Sequence, residues 1–432
     1  MKPHRSVSLL AGAALLPGLA LAQDVPLAIR GARIVTVSGP VIEKGTVVLQ
    51  QGRIVAVGAD VAVPQGATLV DASGKTLYPG LVDALTTIGL VEVAAVPATL
   101  DTTEVGDMNP HARAWVALHP DSELIPVARA NGVTAVLSAP AGGLVSGQSA
   151  LVRLAGTTPG AMVVKAPAAL HAVYPSGRPP FDVARLFEEP ELKTLAERLK
   201  DQQKNQTKAL DRLAGLLAEA KADAAARADL TRPAPETNLA LEAMAPFARG
   251  EGLFVMRADA EDEIRAAVRF ASENGLKLVI AGGLEAWRCA ELLKEKDVAV
   301  LLKVLRVPAR ESDPYDAPYA NAAVLHRAGV RFAIVSDDSE NVRNLPYEAA
   351  MAAAFGLPEA AALSAITLWP AEIFGAADRI GQIAPAREAN LVLATGDILD
   401  ARTQVTHVWI GGVAQSLETR HTRLYERYRE RP

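Results

Sequence analysis

Eight short apolar runs constrain this chain more than any other feature. They are PGLVDAL (79–85), GVTAVLSAP (132–140), SALVRLAG (149–156), AMVVKAPAAL (161–170), GLFVMRAD (252–259), KLVIAGG (277–283), DVAVLLKV (297–304) and RFAIVSDD (331–338). Apolar runs of this length, bounded by Gly, Pro and Asp, read as strands buried on both faces. Helical patterns such as EDEIRAAVRFASENG and APYANAAVLHRAGV separate several of them. Eight buried strands with helical crossovers close into an α/β fold, the (β/α)8 TIM barrel. A doubly wound open sheet is the competing arrangement.

The two ends have a different rhythm. VPLAIRGARIVTV, GTVVLQQGRIVAVG and ATLVDASGKTLYPG near the start, and NLVLATGD and QVTHVWIGGVAQ near the end, alternate apolar and polar residues between turns. Residues 23–77 plus 381–420 are therefore expected to form one small β-sandwich domain from both chain ends, around a barrel domain at 78–380. A charged helical insertion occupies about 182–230, with Leu192, Leu195, Leu199, Leu210, Leu213 and Leu217 as an apolar stripe. A solvated helix is the plain reading of it, and a lid or an oligomer contact the other.

Half of the residues are hydrophobic and only 4% aromatic, so Ala, Val and Leu must fill the interior. The net charge of −5 is made of both signs spread along the chain, which gives no footprint for nucleic acid. Residues 1–22 read as a secretion signal, with Lys2 and Arg5, an apolar core and the small-x-small site Ala20-Leu21-Ala22. The expectation is an exported protein, periplasmic or secreted, with no membrane span once the signal is removed. Cys289 is the single cysteine, so no internal disulfide can form, and its helical setting reads as a packed thiol.

The motifs GARIVTVSG, GRIVAVG, KTLYPGLVDA and the closing run GLPEAAALSAITLWPAEIFGAADRIGQIAPAREANLVLATGD resemble the amidohydrolase superfamily, its imidazolonepropionase-like and dihydroorotase-like branches above all. The resemblance implies hydrolysis of non-peptide C–N bonds, in cyclic amides or N-acyl groups, by one or two divalent metals at the C-terminal face of the barrel. It implies ligands from a His-x-His on the first strand, a Lys or Glu near the fourth, His on the fifth and sixth, and Asp on the eighth. A metal held by about three such groups keeps a position open for water and lowers its pKa.

This chain departs from that set. Leu85 and Thr87 stand at the two first-strand positions, Arg257 at the fifth and Gly282 at the sixth. Lys165 or His171 falls near the fourth, and Asp337 alone matches on the eighth. No metal is expected at the usual positions. A guanidinium at Arg257 beside Asp337 would neutralise the remaining carboxylate.

Three readings follow. In the first, the chain is a non-catalytic member that binds a small-molecule ligand or pairs with an active relative. In the second, it is an active hydrolase with a rearranged site, metal-free or holding one divalent ion such as zinc. His171, Asp259 and Asp337 are then the residual ligands, with Asp83 and Asp338 also near the mouth and Asp337 the catalytic candidate. In the third, it is a secreted scaffold or interaction subunit. Arg257, Arg343 and Asn344 are candidates for binding a substrate carboxylate. Homo-oligomers are common in the family. The Gly-rich loop APAGGLVSGQS (139–149) reads as a flexible connection.

Overall fold

The computed structural model describes residues 25–178, 194–231, 233–309 and 313–431. Residues 1–22, expected to be a secretion signal, and Leu192 lie outside the described residues. Two sheets organise the chain. The first contains β1 (Leu27–Ile34), β2 (Ile42–Gln50), β3 (Arg53–Gly58), β4 (Thr68–Asp71) and β5 (Thr76–Pro79). The second contains β6 (Leu81–Thr86), β7 (Val133–Ser138), β8 (Val145–Arg153), β9 (Val163–Val173), β10 (Leu253–Ala258), β11 (Lys277–Gly282), β12 (Ala299–Leu302) and β13 (Phe332–Ile334). The chain then returns to the first sheet with β14 (Leu391–Ala394), β15 (Val405–Ile410) and β16 (Val413–Gln415).

The first sheet runs β16-β15-β14-β5-β1-β2-β3, with β4 parallel to β1. The two chain ends meet where β5 pairs antiparallel with β14. Ile29, Ile34, Val47, Ile54, Leu77, Leu391 and Trp409 supply its buried face. Gly80 alone separates this sheet from β6. A Cβ there would lie 2.0 Å from Thr134 Oγ1, so only glycine fits the passage.

The second sheet runs β6 to β13 in sequence order. It is nearly closed: Asp337 N donates to Leu85 O (3.1 Å) and Thr87 N to Asp338 O (3.4 Å) just beyond the ends of β6 and β13. All eight apolar runs are strands of this barrel. One departs from the expected geometry: β8 runs antiparallel to both β7 and β9. Short connections that carry no long crossover helix force that reversal, since parallel strands need a crossover of a dozen residues or more.

Period-two alternation sorts the side chains. Val82, Ala84, Ala135, Leu151, Ala169, Val255, Val279, Leu301, Ala333 and Val335 fill the lumen. Phe254, Met256, Leu170, Val300 and Phe332 face the surrounding helices. The helix Leu195–Ala228 is capped by Thr194 and Glu197 and packs on the helix Leu239–Ala248. Leu213, Leu217 and Ala220 of this helix are buried, so part of the insertion joins the core rather than being solvated throughout. No helix among the described residues is long and apolar enough to cross a membrane.

Candidate functional site at the barrel mouth

Lumen-facing alternation carries one residue per strand to the C-terminal face. On β10, Val255 faces inward and Arg257, two residues on, shares its face. On β9, Ala169 is followed by His171 in the same way. Val335 precedes Asp337 after β13. Because β8 is reversed, its first half runs along the end of β9 that leads to the mouth, and its central residue Ser149 pairs in register with Ala169.

Arg257 grips Asp337 bidentately, Nη2 to Oδ1 at 2.6 Å and Nη1 to Oδ2 at 2.9 Å. The side chains are 40% and 26% exposed, so the pair sits at the mouth rather than deep in the lumen. Burial works against the guanidinium charge, but the bond to Asp337 and the nearby Asp259 hold the Arg257 pKa above its ordinary value. Asp337 adopts a left-handed backbone (φ +48°), a conformation Asp tolerates better than most residues.

Asp259 follows β10. Burial pushes its carboxyl up from the ordinary range, while Arg257 and the Leu284 amide pull it down. The carboxylate lies over the bare backbone of Gly282 (φ +93°), where a Cβ would come within 2.3 Å of Asp259 Oδ1. Gly282→Ala is therefore expected to cost about 1–3 kcal/mol through backbone strain and displacement of that carboxylate, read from urea denaturation. An unchanged midpoint would show that Asp259 moves freely.

His171 is 6% exposed, and its Nε2 lies 2.8 Å from Ser149 Oγ. Burial, with help from the Arg257 charge, lowers its pKa to about 3, so the ring is neutral at neutral pH. Ser149 had no sequence signal, because nothing in its spacing reveals that β8 runs backwards.

The other candidates lie elsewhere. Lys165 donates to Phe374 O at 2.7 Å from the opening half of β9, so of the two fourth-strand possibilities His171 is the one at the mouth. Asp83 is fully buried and turns into the wall, where it accepts from the Leu85 amide (3.2 Å) and the Ser336 amide (3.2 Å). Asp338 pairs with Arg306 (2.9 Å) and accepts from the Glu340 and Asn341 amides. Burial alone would raise the Asp338 carboxyl, yet these partners hold it below the usual range.

Arg343 and Asn344 were expected to line the mouth, and their contacts correct that. The turn Val342–Asn344 packs on the helix Leu124–Ala130. Arg343 Nη1 lies 3.5 Å from His421 Nδ1 on the C-terminal helix, and Asn344 donates to Asn341. The amides that Asp338 collects bend the chain outward before these two residues are reached.

Behind the mouth, Glu348 forms a second layer. It is fully buried, accepts from the Val304 amide at 2.9 Å and from the Leu305 amide, and its Oε1 has no hydrogen-bond partner among the described residues. Burial raises both Asp83 and Glu348 to about 7, and the Glu348 charge adds a minor push at Asp83.

The residues present do not fit the metal centre expected of such a barrel. Leu85 is packed into the apolar lumen, Thr87 brings no strong ligand, and a guanidinium lies among His171, Asp259 and Asp337. Among the described residues, no three His, Cys, Asp or Glu side chains are grouped to hold a metal ion. A cavity of about 820 Å³ opens elsewhere, between the loop carrying Glu104, His111 and Arg113 and the helix bearing Leu239 and Glu242.

The profile of the Amidohydrolase family matches residues 268–414. Amidohydrolase tasK of Hapsidospora irregularis is 25% identical over 410 residues, covering 86% of this chain. The chain spans 40% of the length of that relative. The crystal structure of an amidohydrolase from Thermotoga maritima MSB8 superposes with a TM-score of 0.78 at 27% identity, over 90% of this chain and 99% of the other. Molinate hydrolase shares the fold, with a TM-score of 0.55 at 16% identity over 92% of this chain and 96% of its own.

Proposed function

Because this chain belongs to the amidohydrolase superfamily, we infer that it is an exported member that has left metal-dependent hydrolysis and keeps the barrel mouth for binding a ligand or for pairing with an active relative. The observation that carries this reading is the bidentate Arg257–Asp337 pair. It spends the one carboxylate that matches the superfamily's ligand set on a fixed cation. Zinc-type catalysis needs about three protein ligands and an open position for water.

A second reading keeps the superfamily's chemistry, hydrolysis of non-peptide C–N bonds, on a rebuilt site. The 2.8 Å contact between His171 and Ser149, within the field of the Arg257 that pairs with Asp337, favours it. In that case Asp337→Asn abolishes hydrolysis of cyclic amides or N-acyl substrates.

The first reading expects less than about 0.1 equivalents of zinc, manganese or iron per purified chain, since a built catalytic site holds at least one. Elemental mass spectrometry of protein prepared without chelators or a His tag measures this. One equivalent that disappears in Asp337→Asn would overturn the first reading and support the second.

A further inference from the structure

We propose that the C-terminal helix Arg420–Tyr428 is an interfacial anchor for an anionic lipid bilayer, laying Leu424, Tyr425 and Tyr428 into the headgroup layer and setting Arg420, Arg427 and Arg431 against the lipid phosphates. The start of the helix is fixed to the body. Leu417 packs against the outer core of the barrel, and Thr419 is buried. Thr419 caps the helix: its Oγ1 accepts from the Thr422 amide at 3.2 Å, and its own amide donates to Thr422 Oγ1 at 2.9 Å. Beyond that cap no residue of the helix is buried. Two contacts tether it: Arg423 Nη2 lies 2.9 Å from both carboxylate oxygens of Glu123, and Arg343 lies against His421. A helix of nine residues with no buried face is marginal in water, so its apolar side is left for a surface outside the chain.

Leu424, Tyr425 and Tyr428 share one side of the helix by their spacing and are 37%, 66% and 38% exposed. Arg420, Arg427 and Arg431 border that side. Among the described residues none of these three arginines pairs with a carboxylate, and Arg427 and Arg431 lie over the Tyr428 ring, 5.3 and 4.1 Å from its centre. The ion pairs of the segment involve the other arginines: Arg423 with Glu123, and Arg429 with Glu426 at 3.2 Å on the opposite side of the helix. Residues 420–431 carry five arginines against two glutamates, in a chain whose net charge is −5. Positive charge that the molecule's own carboxylates leave unmatched, beside exposed Leu and Tyr, is complementary to an anionic lipid surface. Tyrosine rings suit the headgroup layer, apolar at one edge and polar at the other. Arginine stems can lie along the apolar side while the guanidinium groups reach the phosphates.

The test is co-sedimentation with vesicles of the chain purified without residues 1–22, because that apolar stretch would bind lipid by itself. Vesicles of phosphatidylcholine with about one third phosphatidylglycerol are expected to pellet the protein, and pure phosphatidylcholine to leave it in solution. Raising the salt from about 0.05 to about 0.5 M should weaken the partition roughly tenfold. The triple variant Arg420→Gln, Arg427→Gln, Arg431→Gln is expected to lose about tenfold or more. Leu424→Ser with Tyr425→Ser keeps every charge and should lose severalfold, through the apolar area alone. The fluorescence of Tyr425→Trp should shift to the blue on the anionic vesicles only. All these side chains are exposed, so each variant should keep the wild-type melting temperature.

A wild type that ignores the anionic vesicles would overturn the proposal, as would a triple variant that partitions as the wild type does. Binding that follows charge while the serine variant is unimpaired and the tryptophan fluorescence unshifted also counts against it, since the helix would then not enter the headgroup layer. A dimer in vesicle-free solution, seen by sedimentation velocity and lost in Leu424→Ser with Tyr425→Ser, would give the face to a second copy of the chain and sink the proposal.

Discussion

Raising the pH from about 5 to about 7.5 is expected to lower the melting temperature of the protein, with a stability loss of about 3 kcal/mol. The cause is the buried carboxyl layer behind the mouth. Asp83 and Glu348 have ordinary values of 3.8 and 4.5 and are raised to about 7 in the folded chain. A raised carboxyl binds its proton more tightly in the native state, so stability falls as pH rises towards the folded pKa and levels off above it.

His171 acts in the opposite sense. Its ordinary value of 6.5 drops to about 3 on folding, so it favours the native state above 6.5 and loses that contribution as pH falls. Between about pH 4.5 and 6.5 the native state holds two carboxyl protons that the unfolded chain has released. The unfolded chain holds one imidazolium proton that the native state lacks. The net uptake of one proton on folding gives about 1.4 kcal/mol per pH unit.

Asp83→Asn should flatten the profile in that window while keeping an oxygen for the Leu85 and Ser336 amides. Asp83→Asn with Glu348→Gln should reverse the slope and leave the His171 contribution. Calorimetric scans across the window measure all three profiles. Identical slopes in the wild type and Asp83→Asn would refute the assignment.

Asp337→Ala is the second large effect, a destabilisation of about 2–3 kcal/mol. Removing one partner of a fully buried ion pair costs about 3–5 kcal/mol because the other charge is stranded. Arg257 is 40% exposed and Asp337 26%, so water recovers part of that, and Asp259 remains as a partial counter-charge. Alanine also tolerates the left-handed backbone of residue 337 (φ +48°) less well than Asp. Asp337→Asn keeps that tolerance and should cost less. Asp400→Ala is the control, since its partner Arg402 is 90% exposed and water screens such a pair. Urea denaturation compares the three. Equal midpoints for Asp337→Ala and Asp400→Ala would mean that the mouth pair carries no structural weight.

Much of this molecule was legible in the sequence because apolar length and spacing decide which segments are buried strands. All eight barrel runs and the joining of both chain ends in one sheet follow from that pattern, whereas the meeting of Arg257 with Asp337 was expected from the family resemblance that set both at ligand positions. Strand direction is not in the pattern, since an apolar run reads the same whichever way it lies. Ser149 was invisible for that reason, although it touches His171. Arg343 and Asn344 were misplaced because the turn after Asp338 is set by local amide bonds to a carboxylate, which composition does not disclose. Glu348 gave no signal because a buried carboxylate on a helix looks like a solvated one until its surroundings are known.

The reversed strand also divides the mouth by folding order. β7, β8 and β9 pair as consecutive neighbours through short connections, so closing that meander restricts little chain entropy. It carries Ser149 and His171. Arg257 and Asp337 are 80 residues apart in sequence and meet only when the later crossovers have been made. Contacts of that separation tend to be absent from the folding transition state. The cost of Asp337→Ala should then fall on the unfolding rate, which makes the ion pair a latch on the finished barrel rather than part of the nucleus that builds it.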